Sequence, residues 1–247
     1  MDIRIPAPAA EIIDKLNSHG YEAYIVGGCV RDMLLGREPG DWDITTSALP
    51  RQVKQVFKRT VDTGIQHGTV TVLIGKAGYE VTTYRVDGEY LDGRHPDTVS
   101  FTPDLREDLR RRDFTINAMA YNSMKGIIDE FGGQEDLRAG IIRCVGNPMD
   151  RFSEDALRIL RAIRFSAQLG FEIEEKTWEA ICASAPSLAR VSKERIQVEL
   201  TKLLLSGHPE HMALVWESGI SPMCHRRFTA WRQARRSCLQ RLSLSPL

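Results

Sequence analysis

Gly27, Gly28, Arg31 and Asp32, followed shortly by Asp41 and Asp43, are the first residues in the chain whose types and spacing could do chemistry. A glycine pair lets main-chain N–H groups approach a phosphate closely, and an arginine one helical turn later can add a charged fork to the same oxygens. The plainer reading of the pair is a tight turn. Asp41 and Asp43 flank Trp42, so in a strand both carboxylates project from one face while Trp42 and Ile44 turn towards the core. Two carboxylates so placed offer hard oxygen donors to Mg²⁺. Without a cation each raises the proton affinity of the other, and the competing reading is a solvated turn beside Pro39-Gly40. A phosphate cradle beside paired carboxylates is what phosphoryl or nucleotidyl transfer requires. One ion held by Asp41 and Asp43 would lower the pKa of an attacking hydroxyl, and a second would hold a triphosphate and its departing pyrophosphate. Hydride transfer fits poorly, because the glycine pair is not part of a GxGxxG fingerprint.

These residues need elements to hold them. The run AAEIIDKLNSHG, from Pro8 to Gly20, reads as a helix closed by glycine, and YEAYIVGG as a strand running into the glycine pair. CVRDMLLG gives one or two helical turns, WDITT a short strand, and Pro50 to Lys58 a helix with proline in its first turn. TVTVLIG and YEVTTYR read as an antiparallel hairpin over residues 69 to 85, with His67 at its mouth, where it either makes a structural hydrogen bond or lines the site. Val86 to Pro103 is polar and reads as a loop. RRDFTINAMAYN then begins a helical piece, KGIIDEFGG a strand and turn, and QEDLRAG a short helix.

From about Asp150 four helical patterns follow one another, each closed by glycine or proline. In residues 153–170, at about 100° per residue, Ala156, Ile159, Leu160, Ile163 and Ala167 share one apolar stripe. Asp155, Arg158, Arg161 and Arg164 fall outside it and are expected to face solvent or a ligand. Asp155 can accept from a base amino group and Arg158 can donate to ring nitrogen and carbonyl positions, so the two together could mimic a pairing edge. A salt bridge on a solvated helix face is the alternative. Arg195 is expected to brace this helix through Glu199, one turn away.

Composition sets the outer bounds. The 247 residues, 42% hydrophobic and 7% aromatic, suffice for one large or two small cores. Formal net charge is zero, but the last 27 residues hold six arginines and no acid, which leaves residues 1–220 with 27 basic and 33 acidic side chains, a net of −6. A nucleic-acid surface in the main body must therefore be a local patch. The N-terminus lacks a targeting pattern and no apolar run is long enough to span a membrane, so a soluble cytoplasmic protein without membrane association is expected. Cys29, Cys144, Cys182, Cys224 and Cys238 form no close pair, which argues against a zinc knuckle or disulfide framework. The domain reading is residues 1–148, an α/β domain; 149–220, helical; and 221–247, a basic tail that either binds RNA or stays disordered.

The run GGCVRDMLLGREPGDWDIT resembles the signature of the tRNA nucleotidyltransferase and bacterial poly(A) polymerase family, the class II CCA-adding enzymes. The likeness continues through RRDFTINAMAYN, DEFGGQEDL, RFSEDALRILRAIRFSAQLGF and SKERIQVEL, roughly residues 20 to 205. It implies an α/β nucleotidyltransferase (polymerase-β-like) head followed by an all-helical neck that selects nucleotides. It implies that Asp41 and Asp43 are the catalytic metal carboxylates, with Mg²⁺ as cofactor, and that Gly28, Arg31 and Arg112 touch the triphosphate while Asp113 and Asn117 order the site. Asp155 and Arg158 would read the base edges of CTP or ATP, with Arg161 and Arg164 in the same nucleotide-binding set. Glu80 is a candidate third carboxylate, or an outward-facing strand residue. The activity implied is addition of CMP and AMP to the tRNA 3′ end with release of pyrophosphate. The alternatives are an A-adding or CC-adding specialist, a poly(A) polymerase, or a catalytically weak tRNA-binding protein. CC-only members of the family lack the loop that DGEYLDGRHPDTVSF resembles, and the poly(A) enzymes carry a more basic body. Family members are longer, so the chain reads as a C-terminally shortened version.

Overall fold

The computed structural model describes residues 4–88, 90 and 97–224. The chain divides into two compact units, Met1–Asn147 and Pro148–Leu247.

The first unit is an α/β structure. Helix α1 (Ala7–Ser18) buries Ala9, Ile12, Ile13 and Leu16, the i, i+3, i+4, i+7 face that its sequence presents. It leads into β1 (Ala23–Val26), α2 (Gly28–Leu34), β2 (Ile44–Thr46) and α3 (Pro50–Val56). Then come β3 (Thr60–Gly64), β4 (Thr69–Ile74) and β5 (Ala77–Thr83). Strands β6 (Arg85–Asp87) and β7 (Val99–Phe101) precede α4 (Leu105–Arg110), β8 (Ala120–Asn122), β9 (Gly126–Ile128) and α5 (Gly133–Ala139). The main sheet has the order β3-β4-β5-β2-β1-β8-β9, with β2 and β5 parallel and the other neighbours antiparallel.

Strand β1 lies inside the sheet between β2 and β8 and all four of its residues are buried, as a strand covered on both faces must be. Tyr24 and Val26 pack on one side with Tyr84, Leu105, Leu109 and Ala120, against which Ile128 and Phe131 are also seated. Ala23 and Ile25 alternate to the other side. Helix α4 starts where Asp104 accepts a hydrogen bond from the Arg106 amide at 2.9 Å.

The structure departs from the sequence reading in the first unit at three places. The polar stretch after Val86 is not all loop: β6 and β7 pair antiparallel, Arg85 with Phe101 through Asp87 with Val99. The centre of that stretch lies outside the described residues. RRDFTINAMAYN forms a short 3-10 turn at Thr115–Asn117 and then strand β8, because Ala120 pairs with Val26 of β1 inside the sheet, and pairing overrides helical propensity. Asp41 and Asp43 fall just before β2 rather than inside it.

The second unit comprises α6 (Pro148–Glu154), α7 (Leu157–Leu169), α8 (Glu175–Ser184), α9 (Lys193–Leu204), α10 (Ala213–Glu217) and α11 (Ser221–Cys224). A 3-10 turn at Pro209–Met212 joins α9 to α10. Its centre is α7, whose Ile159, Leu160, Ile163 and Ala167 are each at most 1% exposed and pack against α9. The 153–170 run is not one helix. It breaks at Asp155, whose Oδ1 accepts the Leu157 amide at 3.0 Å, so that its side chain competes with the helical backbone bond. The tail expectation for residues 221–247 falls mainly on residues outside the described set, after α11. Among the described residues no helix is long and apolar enough to cross a membrane.

Candidate functional site

In the first unit the chemistry gathers where β1 ends. The Val26 amide donates to the Asp43 carbonyl at 3.0 Å, which fixes the backbone of Asp43 beside the glycine pair. Gly27 follows with φ +81° and ψ −129°, a conformation that side chains with a Cβ avoid. A Cβ there would also stand 3.0 Å from Arg112 Nη1. The backbone conformation favours glycine at this position, and a side chain there would also push the end of Arg112 aside. At Gly28 a Cβ would meet nothing closer than Arg31 Nη2 at 3.6 Å, so the protein itself does not demand glycine there. The space it leaves is available to a ligand.

Arg31 is held rather than loose. Its Nη1 donates to Asn117 Oδ1 at 2.7 Å and its Nε to Asp32 Oδ1 at 2.9 Å. Asn117 in turn donates to Asp113 Oδ1 at 3.2 Å, and the same oxygen accepts the Phe114 amide at 2.9 Å. Asp113 and Asn117 thus orient Arg31, and the 3-10 turn at Thr115–Asn117 is what brings them under it.

Arg112 is placed by Asp108, which is fully buried. Asp108 accepts from Arg111 at 2.7 Å, from Arg112 at 3.4 Å, from the Arg85 amide at 3.3 Å and from Thr45 Oγ1 at 3.1 Å. One carboxylate therefore ties β2, the start of β6 and α4 to the arginine. Burial alone would push Asp108 up, but Arg111, Arg112 and these hydrogen bonds together hold it below the ordinary Asp value. Arg112 Nε is buried and has no hydrogen-bond partner. A buried guanidinium nitrogen left open in this way fits an anionic or polar ligand oxygen.

Asp41 and Asp43 are both exposed. Partial desolvation raises the Asp43 pKa above its ordinary value, Arg112 opposes that rise and Asp41 adds to it. The nearby Cys29 thiol is pushed up to about 11, by burial first and by the Asp43 charge second. A carboxylate that resists ionisation next to a second carboxylate is a site that a cation would relieve, and the donor set is all oxygen, which fits Mg²⁺. Behind the pair Ile44 is buried and Trp42 half-buried. Parallel pairing aligns Ile44 with Val81, so Glu80 precedes Val81 as Asp43 precedes Ile44, and Glu80 is exposed. Among the described residues Glu80 does not join the two aspartates in a trio of ligand atoms within 4.8 Å of one another. His67 serves through its carbonyl, which accepts Arg85 Nη1 at 2.6 Å.

In the second unit Asp155 stands at the break between α6 and α7. Its Oδ2 accepts Arg195 Nη2 from α9 at 2.7 Å. Arg158 donates to the Arg151 carbonyl at 3.2 Å and to Glu154 Oε2. Arg161 lies over the Phe165 ring at 5.4 Å. Arg164 corrects the expectation drawn from the helical stripe. It is 6% exposed, pairs with Glu199, donates to Gln168 Oε1 at 2.6 Å and stacks over Phe165 at 3.9 Å. Because α9 packs on α7, the flank carrying Arg164 is covered, and Glu199 supplies the charge that makes burial tolerable. The expected Arg195–Glu199 bridge within α9 is replaced by two long-range bridges, Arg195 of α9 to Asp155 at the break and Arg164 of α7 to Glu199 of α9. Sequence spacing could not reveal this exchange, since each pair joins residues more than thirty positions apart. The structure thus brings Gly28, Arg31, Arg112, Asp41 and Asp43 to one end of the first unit's sheet, and Asp155, Arg158, Arg161 and Arg164 to α7 and the break before it.

Comparison with known proteins gives a consistent account. Residues 23–143 match the family described as the poly A polymerase head domain, and residues 170–224 match the one described as the probable RNA and SrmB-binding site of polymerase A. The CCA-adding enzyme of Lactiplantibacillus plantarum is 54% identical over 201 residues, 81% of this chain and 49% of that protein. That of Enterococcus faecalis is 56% identical over 197 residues, 80% of this chain and 48% of that protein. The crystal structure of the Bacillus stearothermophilus CCA-adding enzyme in complex with CTP superposes with a TM-score of 0.81 at 47% identity, covering 89% of this chain and 54% of that one. The chain spans about half the length of the curated relatives it matches. Its polymerase-β-like head, its helical neck and its match to these proteins establish that it belongs to the tRNA nucleotidyltransferase and poly(A) polymerase family.

Proposed function

We propose that this chain carries the head and neck of an enzyme that adds CMP and AMP from CTP and ATP to the 3′ end of tRNA. The 3′-hydroxyl oxygen forms a bond to the α-phosphorus, the bond from that phosphorus to the bridging oxygen breaks, and pyrophosphate leaves. The observation that carries this reading is the convergence of Asp41 and Asp43 with the Gly27-Gly28 turn and two braced arginines, Arg31 and Arg112. Asp41 and Asp43 would hold Mg²⁺, which when bound supplies charge stabilisation and a lowered hydroxyl pKa. Gly28 leaves room for the triphosphate, Arg31 and Arg112 neutralise its oxygens, and Asp113 with Asn117 keep Arg31 aimed. Asp155 and Arg158 would present the acceptor and donors that select the base. Arg161 would complete that set, and Arg164 would act from behind through α9. Relatives named for CCA addition support the choice of substrate.

The test is incorporation. The purified chain, with Mg²⁺ and tRNA ending at the discriminator base, at C or at CC, is given CTP, ATP or both. Stepwise addition that stops after the terminal A is expected. Failure with every substrate rejects the reading in favour of an RNA-binding protein. A product stopping at CC, a product requiring a CC end, or a long ATP ladder assigns the chain to a CC-adding, A-adding or poly(A) specialist. The β6–β7 pair frames the stretch that CC-only members lack, which favours the full reaction.

A further inference from the structure

The function proposed above makes no use of the histidines of the second unit. His208, Glu210 and His211 surround the 3-10 turn Pro209–Met212, and one ligand atom from each lies within 4.8 Å of the other two. Among the described residues no other trio of His, Cys, Asp or Glu meets that condition. His208 and Glu210 are exposed and His211 is half-buried.

The hydrogen bonds around the trio settle which nitrogen is available. Ser166, 1% exposed on α7, has its Oγ 2.6 Å from the Phe171 carbonyl and 2.7 Å from His211 Nδ1. The carbonyl can only accept, so the hydroxyl proton goes to it, and His211 Nδ1 must donate its proton to Oγ. That leaves the lone pair on His211 Nε2. Metal-ligating histidines likewise donate the far N–H to a fixed oxygen acceptor, the part that the Ser166 hydroxyl plays here. His208 Nε2 abuts the backbone of Gly170, 2.7 Å from where a Cβ would stand, so Nδ1 is the outward nitrogen. It is hydrogen-bonded to Glu210 Oε1 at 3.1 Å, a contact that an ion would replace at nearly the same spacing, since two ligands sharing a tetrahedral ion with bonds of about 2.0 Å stand roughly 3.3 Å apart. The turn is anchored to α7, since the His208 amide donates to the Ala167 carbonyl at 3.1 Å. Glu210 and His211 also line a cleft of about 490 Å³ with Phe171, Trp178 and Leu214.

We infer that His208, Glu210 and His211 form a three-ligand site for a divalent transition-metal ion of the Zn²⁺ and Co²⁺ class, with its remaining coordination position open to the cleft. Two imidazole nitrogens and one carboxylate favour such an ion over Mg²⁺, which prefers oxygen donors. The site is therefore chemically distinct from the aspartate pair of the first unit. All three ligands come from one turn, so a bound ion would stiffen that turn, which the His211–Ser166 and His208–Ala167 hydrogen bonds tie to α7.

The test is a Co²⁺ titration of the metal-free 247-residue chain in excess Mg²⁺, read by visible absorption, with Zn²⁺ competition and calorimetry. One equivalent is expected to bind with the intense bands of a low-coordinate N/O site and to be displaced by Zn²⁺. His208→Ala and Glu210→Gln, both at exposed positions, should each weaken binding tenfold or more, while His19→Ala leaves it unchanged. Ser166→Ala, checked for folding by circular dichroism, should weaken it by about 10- to 100-fold with all three ligands still present. No binding up to about 1 mM, or one-equivalent binding at unchanged affinity in both His208→Ala and Glu210→Gln, overturns the inference.

Discussion

Asp43 and Asp108 both feel the charge of Arg112, and the fold moves their proton affinities in opposite directions. For Asp43 the folded-state value is raised, so its ionised form costs stability above that value and the cost is relieved as pH falls through it or as a cation binds. Asp43→Asn is therefore expected to raise the melting temperature in metal-free buffer at neutral pH by on the order of 2 °C, and to remove any further rise on adding Mg²⁺. A thermal melt with and without Mg²⁺ checks both; a lower melting temperature without metal would contradict the first. Asp108 has a depressed value, so its contribution is fully present above the ordinary 3.8 and is lost as pH falls through the folded-state value. Asp108→Asn should cost about 3 kcal/mol at neutral pH, by leaving Arg111 and Arg112 without their buried partner, and should flatten the acid limb of the stability profile. Urea unfolding between neutral and acid pH measures it.

At the scale of elements, the strand-to-helix turn at Gly27 is where backbone and chemistry meet. Gly27→Ala introduces a Cβ at positive φ and 3.0 Å from Arg112 Nη1, so the arginine end must move and the turn is strained. The expected result is a loss of about 1–3 kcal/mol in stability together with a raised KM for CTP, since the displaced arginine is one of the groups proposed to bind the triphosphate. Incorporation kinetics beside a denaturant melt separates the two effects, and an unchanged KM would argue that Arg112 does not contact the nucleotide. The break at Asp155 is a second such junction. Its side chain ends one helix, starts the next and receives Arg195, so a residue proposed to read a base is fixed on both oxygens by its own unit.

For the molecule as a whole, charge is unevenly spread along the sequence. Residues 1–220 carry a net of −6, while the six arginines after them are unopposed. A chain ending at residue 224 is expected to bind tRNA more weakly at low salt, and its log–log salt dependence should become shallower by about 0.7–0.9 for each arginine that contacts a phosphate. Filter binding across a salt series tests this. An unchanged slope would place phosphate contacts entirely within residues 1–224.

Much of this was legible from residue types alone. The apolar spacing of α1, the glycine pair after β1, the proline opening α3 and the hairpin of β4 and β5 all follow from local periodicity and turn chemistry, which depend on neighbours in sequence. The paired aspartates and the motif order carried the family with them. What the sequence by itself could not determine were the partners of its charges. Arg164 looked exposed by helical angle and is buried by α9; Arg195 looked paired with Glu199 and instead holds Asp155; Asp108, unmarked by any spacing, turned out to organise β2, β6 and Arg112. The physical reason is the same in each case. An ion pair or a buried carboxylate is decided by which surfaces pack together, and packing joins residues that periodicity, a local property, cannot connect.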